Sequence, residues 1–238
     1  MIHSEEPRAR KVSRKGYPHP PLVVEVEGPL ACFTRPELKT ERVSYPVMSP
    51  SAARGVLEAI YWKPEFEYVI TAIEVLSPIR WASVRRNEVT SMVTLDWVRS
   101  AMADPAQRFD AEADRDQRNT VFLRDVAYRI HAQVRPRPHA GFPEAAYREQ
   151  FRRRVDRGAC FSQPFLGTRE CSATFGKSTG RNPIPHTEDL GVMLHSISYG
   201  SAGETYRWFH ARLESGVLAV PEQGIELTAA GSQSGRRT

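Results

Sequence analysis

Three side chains near residue 60 have the types and spacing to handle a phosphate: Arg54, Tyr61 and Lys63. On a helix of 3.6 residues per turn, positions seven apart stand almost in line, so Arg54 and Tyr61 share a stripe and Lys63 follows just beyond. A guanidinium, a phenol and an ammonium would then converge near the helix end. A second assignment fits the same residues: Tyr61 and Trp62 wedge the helix into the core, as buried aromatics do. Another candidate group lies between 135 and 157. His139 follows Arg135 and Arg137 in a loop, and an imidazole that titrates near neutrality serves as acid or base. From Pro143 to Arg157, Tyr147, Phe151 and Val155 recur every four residues, with Arg148, Arg152, Arg153 and Arg154 on the other faces. That pattern predicts an amphipathic basic helix. Guanidinium groups donate paired hydrogen bonds to phosphates, so such a helix would grip RNA in a salt-sensitive way; the same arginines also suit a face in water. Arg35, Lys39 and Arg42 add a further basic cluster.

Other patterns carry less. Gly176-Lys177-Ser178-Thr179-Gly180 resembles the end of a phosphate-binding loop, but Cys171 occupies the position of the first glycine, and no strand-to-helix context surrounds it. A polar turn is expected there. The seven histidines never fall at the i, i+4 spacing of a helical metal pair, and no carboxylate cluster suggests a two-metal nuclease. Cys32, Cys160 and Cys171 are too scattered for a disulfide framework. Neither a cofactor nor a metal is expected.

The elements that must position these groups follow from punctuation and periodicity. Ser49 is suited to cap a helix, Pro50 to its first position and Pro64 to its end, while Ala53, Val56, Leu57 and Ile60 form its apolar face. Before it, Leu22 to Glu27 reads as a strand ended by Gly28-Pro29; after it, Phe66 to Val75 reads as a second strand leading to a basic turn at Arg85-Arg86-Asn87. Residues 104–119 mix acids and arginines without an apolar period and read as a solvated loop. Thr120 to Gln133 is expected as a long strand whose alternation slips once, the mark of a bulge. Short strands at Val192–Tyr199, Tyr206–Leu213 and Val217–Val220 predict a small antiparallel sheet. Strand, helix, strand opens a ferredoxin-like fold. The fold class expected is therefore α+β, a ferredoxin-like domain over 22–163 and a small C-terminal antiparallel β-sheet over 164–221. Residues 1–21, basic and proline-rich, read as a disordered arm, and 222–238 as a flexible tail.

Across 238 residues, 33 Lys plus Arg oppose 28 Asp plus Glu, a net charge of +5 that favours polyanionic partners. No apolar run approaches a bilayer span and no signal peptide is evident, so a cytoplasmic protein without a membrane partner is expected.

Residues 30–55, LACFTRPELKTERVSYPVMSPSAARG, and 57–64, LEAIYWKP, resemble the CRISPR-associated Cas family 5 subunit of subtype I-C. Arg85–Glu88, Leu123–Tyr128, Phe151–Arg154, Phe165–Glu170 and Thr187–Gly191 are similar to the same family in the same order, so the resemblance spans about residues 22–221. It implies an endoribonuclease that cuts CRISPR repeat RNA without metal, by attack of a 2′-hydroxyl on the adjacent phosphate to leave a cyclic phosphate. It also implies a lasting place in the interference complex beside the backbone and large subunits, with double-stranded DNA as a further candidate partner. Tyr61 matches the family's active-site tyrosine. Relatives carry a lysine followed by histidine or tyrosine at the start of the basic helix, whereas this chain reads Ala145-Ala146-Tyr147. Tyr147 is then the candidate for the second position, with Arg148 or His139 as candidates for the lost cation. A rival implication is a non-catalytic subunit that holds the 5′ handle of the guide RNA; a third is a general double-stranded nucleic-acid binder.

Overall fold

The computed structural model describes residues 16–38, 41–104, 106–201 and 203–226. Most of the basic arm (1–15), Lys39 and most of the tail (227–238) lie outside the described residues. The elements in chain order are β1 (Leu22–Ala31), β2 (Arg42–Val43), α1 (Pro50–Ile60), β3 (Phe66–Val75), β4 (Trp81–Val89), α2 (Leu95–Ala103) and β5 (Arg115–Pro136), followed by α3 (Glu144–Arg157), β6 (Thr174–Gly176), β7 (Glu188–Gly200), β8 (Gly203–Glu214) and β9 (Val217–Ala219).

The nine strands form one sheet ordered β6-β1-β5-β3-β9-β8-β7, with β2 and β4 added along the first half of β5. All pairings are antiparallel except β2 with β5. The 22-residue β5 is the axis: its first half pairs with β4, and its second half lies between β1 and β3. At the junction Asp125 turns to φ 54, which accounts for the slip in alternation. A register shift at Ile70/Ala72 of β3 adds a bulge on the partner strand.

Helices α1 and α3 pack on this sheet and on one another. Ser49 accepts the Ala52 N–H at 3.3 Å, and Ala53, Val56, Leu57 and Ile60 are buried, as the spacing predicts. On α3, Tyr147, Phe151 and Val155 are buried and Gly158 closes the helix at φ 62. Phe66 meets Tyr61, Tyr68 and Tyr147 at centroid distances of 5.6, 5.1 and 5.0 Å, and Tyr68 meets Phe151 at 5.6 Å. Each such fully buried side chain contributes about 1.5–3 kcal/mol. The aromatic cluster therefore welds the end of α1 to the start of α3.

Several expectations shift. The first strand runs on through Gly28-Pro29: Pro29 is passed over in the pairing, and a Cβ at Gly28 would sit 2.9 Å from Leu166 and from the Ser172 carbonyl. Arg85-Arg86-Asn87 lies inside β4, paired with Asn119, Arg118 and Gln117 of β5, and α2 forms just beyond. Both faces of this two-stranded ribbon are largely exposed, so its strands lack the alternation that would announce them. The C-terminal strands form the expected antiparallel hairpin, and β9 joins it to β3 in the same sheet. Residues 16–21 are also engaged: Gln133 donates to the His19 carbonyl at 3.1 Å, and Arg148 donates to that of Pro20.

Candidate functional site

Where the end of α1 faces the start of α3, an open cleft of about 420 Å³ is lined by Tyr61, Lys63, Phe142, Tyr147, Gln150, Arg153 and Arg154. Tyr61 leaves the helix, taking extended angles of φ −152 and ψ 118. Its ring, 7% exposed, lies under the Arg154 guanidinium at 5.3 Å. Arg154 also donates to the Ile60 carbonyl at 2.9 Å, satisfying an orphan acceptor at the C-terminus of α1. One side chain thus ties the two helices together and sets a cation on the tyrosine face.

Glu65 organises the other wall. Its Oε2 accepts the Tyr147 hydroxyl at 3.0 Å and lies 3.7 Å from Lys63 Nζ. The Tyr147 oxygen in turn accepts the Phe142 N–H at 3.2 Å, and Lys63 hangs 5.6 Å above the Phe142 ring. Burial pushes the Tyr61 phenol above its ordinary value; Arg154 and Arg153 pull against this and Glu65 adds to it, leaving it raised. The Tyr147 phenol is also raised, by burial and then by its bond to Glu65. Both phenols keep their protons at neutral pH. They are hydrogen-bond donors, not bases.

The structure gathers some of the candidate residues and separates others. Tyr61, Lys63, Tyr147 and Arg153 share the cleft. Arg54 does not: the stripe it was assigned to ends at Ile60, and once Tyr61 turns extended its side chain swings to α3 while Arg54 enters a different cleft with Arg135 and Arg207. His139 is exposed, with Nε2 3.2 Å from the Pro64 carbonyl, beside the segment that carries Lys63 and Glu65. Arg148 is buried at 2% exposure and bonds Gln133 at 3.0 Å, Glu144 at 3.1 Å and the Pro20 carbonyl. Arg152 is exposed, 3.9 Å from Glu149. Arg35 lies 4.8 Å over the Tyr45 ring, and Arg42 pairs with Glu88 at 3.1 Å, both away from this cleft. Glu65, Phe142 and Gln150 belong to the site without having been singled out for it, and Arg154, named only as one arginine of the basic helix, stands over Tyr61. Tyr147, Gln150 and Arg154, at i, i+3 and i+7, share a stripe that could have flagged Gln150.

The turn at 176–180 binds an anion that the protein supplies itself. Ser178 and both the N–H and hydroxyl of Thr179 donate to Glu25, at 3.1, 2.8 and 2.7 Å. Among the described residues, no three His, Cys, Asp or Glu side chains gather as a metal ion would require. None of the described helices is long and apolar enough to cross a membrane.

A family model described as CRISPR-associated protein (Cas_Cas5) matches residues 21–221. The chain is 44% identical over 211 residues to the CRISPR pre-crRNA endoribonuclease Cas5d of Mannheimia succiniciproducens, covering 83% of this chain and 93% of that one. It is 41% identical over 221 residues to the protein of the same name in Thermus thermophilus, covering 85% and 92%. Among solved structures, a CRISPR-associated protein superposes with a TM-score of 0.62 at 23% identity, over 85% of this chain and 92% of that one. That last likeness concerns the fold alone.

Proposed function

Since this chain belongs to the CRISPR-associated Cas5 family, of the Cas5d type, we propose that it cleaves CRISPR repeat RNA as a metal-independent endoribonuclease and stays on as a subunit of the type I-C interference complex. The observation that carries the reading is the cleft where two protonated phenols, Tyr61 and Tyr147, face Lys63, Arg153 and Arg154. RNA brings its own nucleophile. The 2′-hydroxyl oxygen attacks phosphorus, the bond to the 5′-oxygen breaks, and a 2′,3′-cyclic phosphate and a 5′-hydroxyl result. The cations stabilise charge on the pentacoordinate phosphate. A phenol that holds its proton donates to the departing 5′-oxygen, and Glu65, bonded to Tyr147, is the carboxylate within reach to receive the 2′-hydroxyl proton. His139 stands next to this segment as a further acid–base candidate.

Ala146 lines the cleft just before Tyr147, where the family resemblance implies a lysine, and Lys63, Arg153 and Arg154 supply positive charge there instead. Arg35, Arg42 and Arg152 serve as outlying RNA contacts. Arg148, spent on internal partners, serves the fold. The ferredoxin-like reading is supported by the order β6-β1-β5-β3 with α1 after β1 and α3 after β5. The backbone and large subunits, and double-stranded DNA engaged by the assembled complex, complete the partners we infer, in the cytoplasm.

A second reading, a subunit that holds the guide's 5′ handle without cutting, is favoured by the alanines at 145 and 146. Single-turnover assays of wild type and Tyr61→Phe on repeat RNA separate the two. Catalysis predicts a folded variant that binds RNA but cuts at least 100-fold more slowly; tight binding by a wild type that does not cut supports the holder.

A further inference from the structure

Arg54 enters a second cleft, of about 190 Å³, whose charged lining is Arg54, Arg135, Arg207, Glu67 and Glu222, with His195 beside them. Arg135 is occupied, pairing with Glu67 at 3.1 Å and with Glu222. Arg207 has Glu226 at 3.1 Å. Among the described residues Arg54 has no carboxylate within ion-pair distance, although Glu58 one turn on feels its charge, and the Nε atoms of Arg54 and Arg207 are buried without a hydrogen-bond partner. His195 contributes no competing charge: burial, with Arg54 and Arg207 next to it, holds its imidazole below the usual range, and its two nitrogens are engaged by Ser196 and the Pro221 carbonyl.

An unpaired guanidinium in a small polar cleft is a seat for an anion. The cleft is smaller than the about 300 Å³ at which drug-sized ligands begin to fit, so the anion is of the size of a phosphate group. Guanidinium groups suit phosphate oxygens through paired N–H donors. Carboxylates of Glu67, Glu222 and Glu226 already occupy Arg135 and Arg207, which among the described residues leaves Arg54 as the guanidinium open to an outside anion. Arg54 and Tyr61 are seven residues apart, about 10 Å at the helical rise of 1.5 Å per residue. The two side chains face different clefts, so a strand seated at Tyr61 would have to run on around α1 to bring a later phosphate to Arg54.

We propose that this cleft is a second phosphate seat, in which Arg54, with Arg207 beside it, holds a backbone phosphodiester of the RNA strand whose earlier nucleotides occupy the Tyr61 cleft. The inference rests on the RNA-processing reading and adds a defined subsite to it.

The test uses repeat RNA made uncleavable by a 2′-deoxy sugar at the cut, in versions carrying one uncharged methylphosphonate at each position near the cut. Binding is measured for the full-length wild type, Arg54→Ala and Arg54→Lys, each checked for an intact unfolding transition. The expected result is one methylphosphonate position that weakens wild type about tenfold yet weakens Arg54→Ala no further. Arg54→Ala should also lower the slope of log affinity against log salt by about 0.7, the value for one single-strand phosphate contact, while Arg54→Lys keeps it. An unchanged slope in Arg54→Ala, or a methylphosphonate penalty as large in that variant as in wild type at every position, overturns the proposal. A wild type with no preference for repeat RNA over unrelated RNA of equal length sinks the underlying reading instead. If Arg54→Ala does not fold, Arg54→Gln supplies the same comparison.

Discussion

Replacing Glu25 with Gln tests how strongly one buried carboxylate holds the 176–181 segment to the sheet. Glu25, 5% exposed on β1, accepts from Arg129, Ser178 and the Thr179 N–H at Oε1, and from the Thr179 hydroxyl and Arg181 at Oε2. Burial alone would raise its pKa, but the hydrogen bonds from Thr179, Arg129 and Arg181 outweigh it and hold the carboxyl at about 2, against an ordinary 4.5. At 1.36 kcal/mol per pKa unit, that difference makes the ionised form worth on the order of 3 kcal/mol to the folded state. The sign follows from the lowered pKa. The stabilisation is fully present above about 4.5 and is lost as pH falls from there toward about 2. A glutamine can satisfy the donors on one side only, because every neighbour donates and its NH₂ finds no acceptor. Urea unfolding at pH 7 should therefore place Glu25→Gln about 3 kcal/mol below wild type, a gap that closes by about 1 kcal/mol between pH 4 and pH 3. A variant within 0.5 kcal/mol of wild type at pH 7 (a margin of about that size is ordinary for surface changes), or a gap that does not narrow in acid, would refute the reasoning.

Other outcomes are equally specific. Gly167→Ala should lose about 3 kcal/mol or more in the same assay, because Gly167 sits at φ 89 and an added Cβ would lie 1.9 Å from the Cys32 carbonyl oxygen. Arg148→Ala should cost about 3 kcal/mol by stranding Glu144 and Gln133, while the RNA affinity of the folded fraction stays within about twofold. Tyr147→Phe and Glu65→Gln should each slow single-turnover cleavage about 10- to 100-fold. The double variant should be no slower than the worse single one, since the two side chains act through one 3.0 Å bond.

What the sequence disclosed about this fold was what local chemistry dictates. Ser49, Pro50 and the apolar residues at 53, 56, 57 and 60 delimit α1 because capping and periodicity act within one helix. The β4–β5 ribbon escaped, because Arg85, Arg86 and their partners are polar residues, exposed or half-buried, that pair across 34 or fewer residues without any apolar alternation. At the site, Tyr61 and Lys63 were legible from type and spacing, yet the cation over Tyr61 is Arg154 from α3, not Arg54 from its own helix. One residue of extended backbone at the helix end redirected the ring, and a helical wheel does not see that. Glu65 was invisible for a related reason: its role exists only once α3 brings Tyr147 to it. Arg148 looked like its exposed neighbours until packing buried it against Gln133.

The most direct test of the central claim is a cleavage assay of the purified protein on repeat RNA in EDTA, beside RNA with a 2′-deoxy sugar at the mapped cut. The account predicts cutting that survives EDTA, fails on the deoxy substrate, and is lost in a folded, RNA-binding Tyr61→Phe. Cleavage that disappears in EDTA, or proceeds on the deoxy substrate, would contradict it.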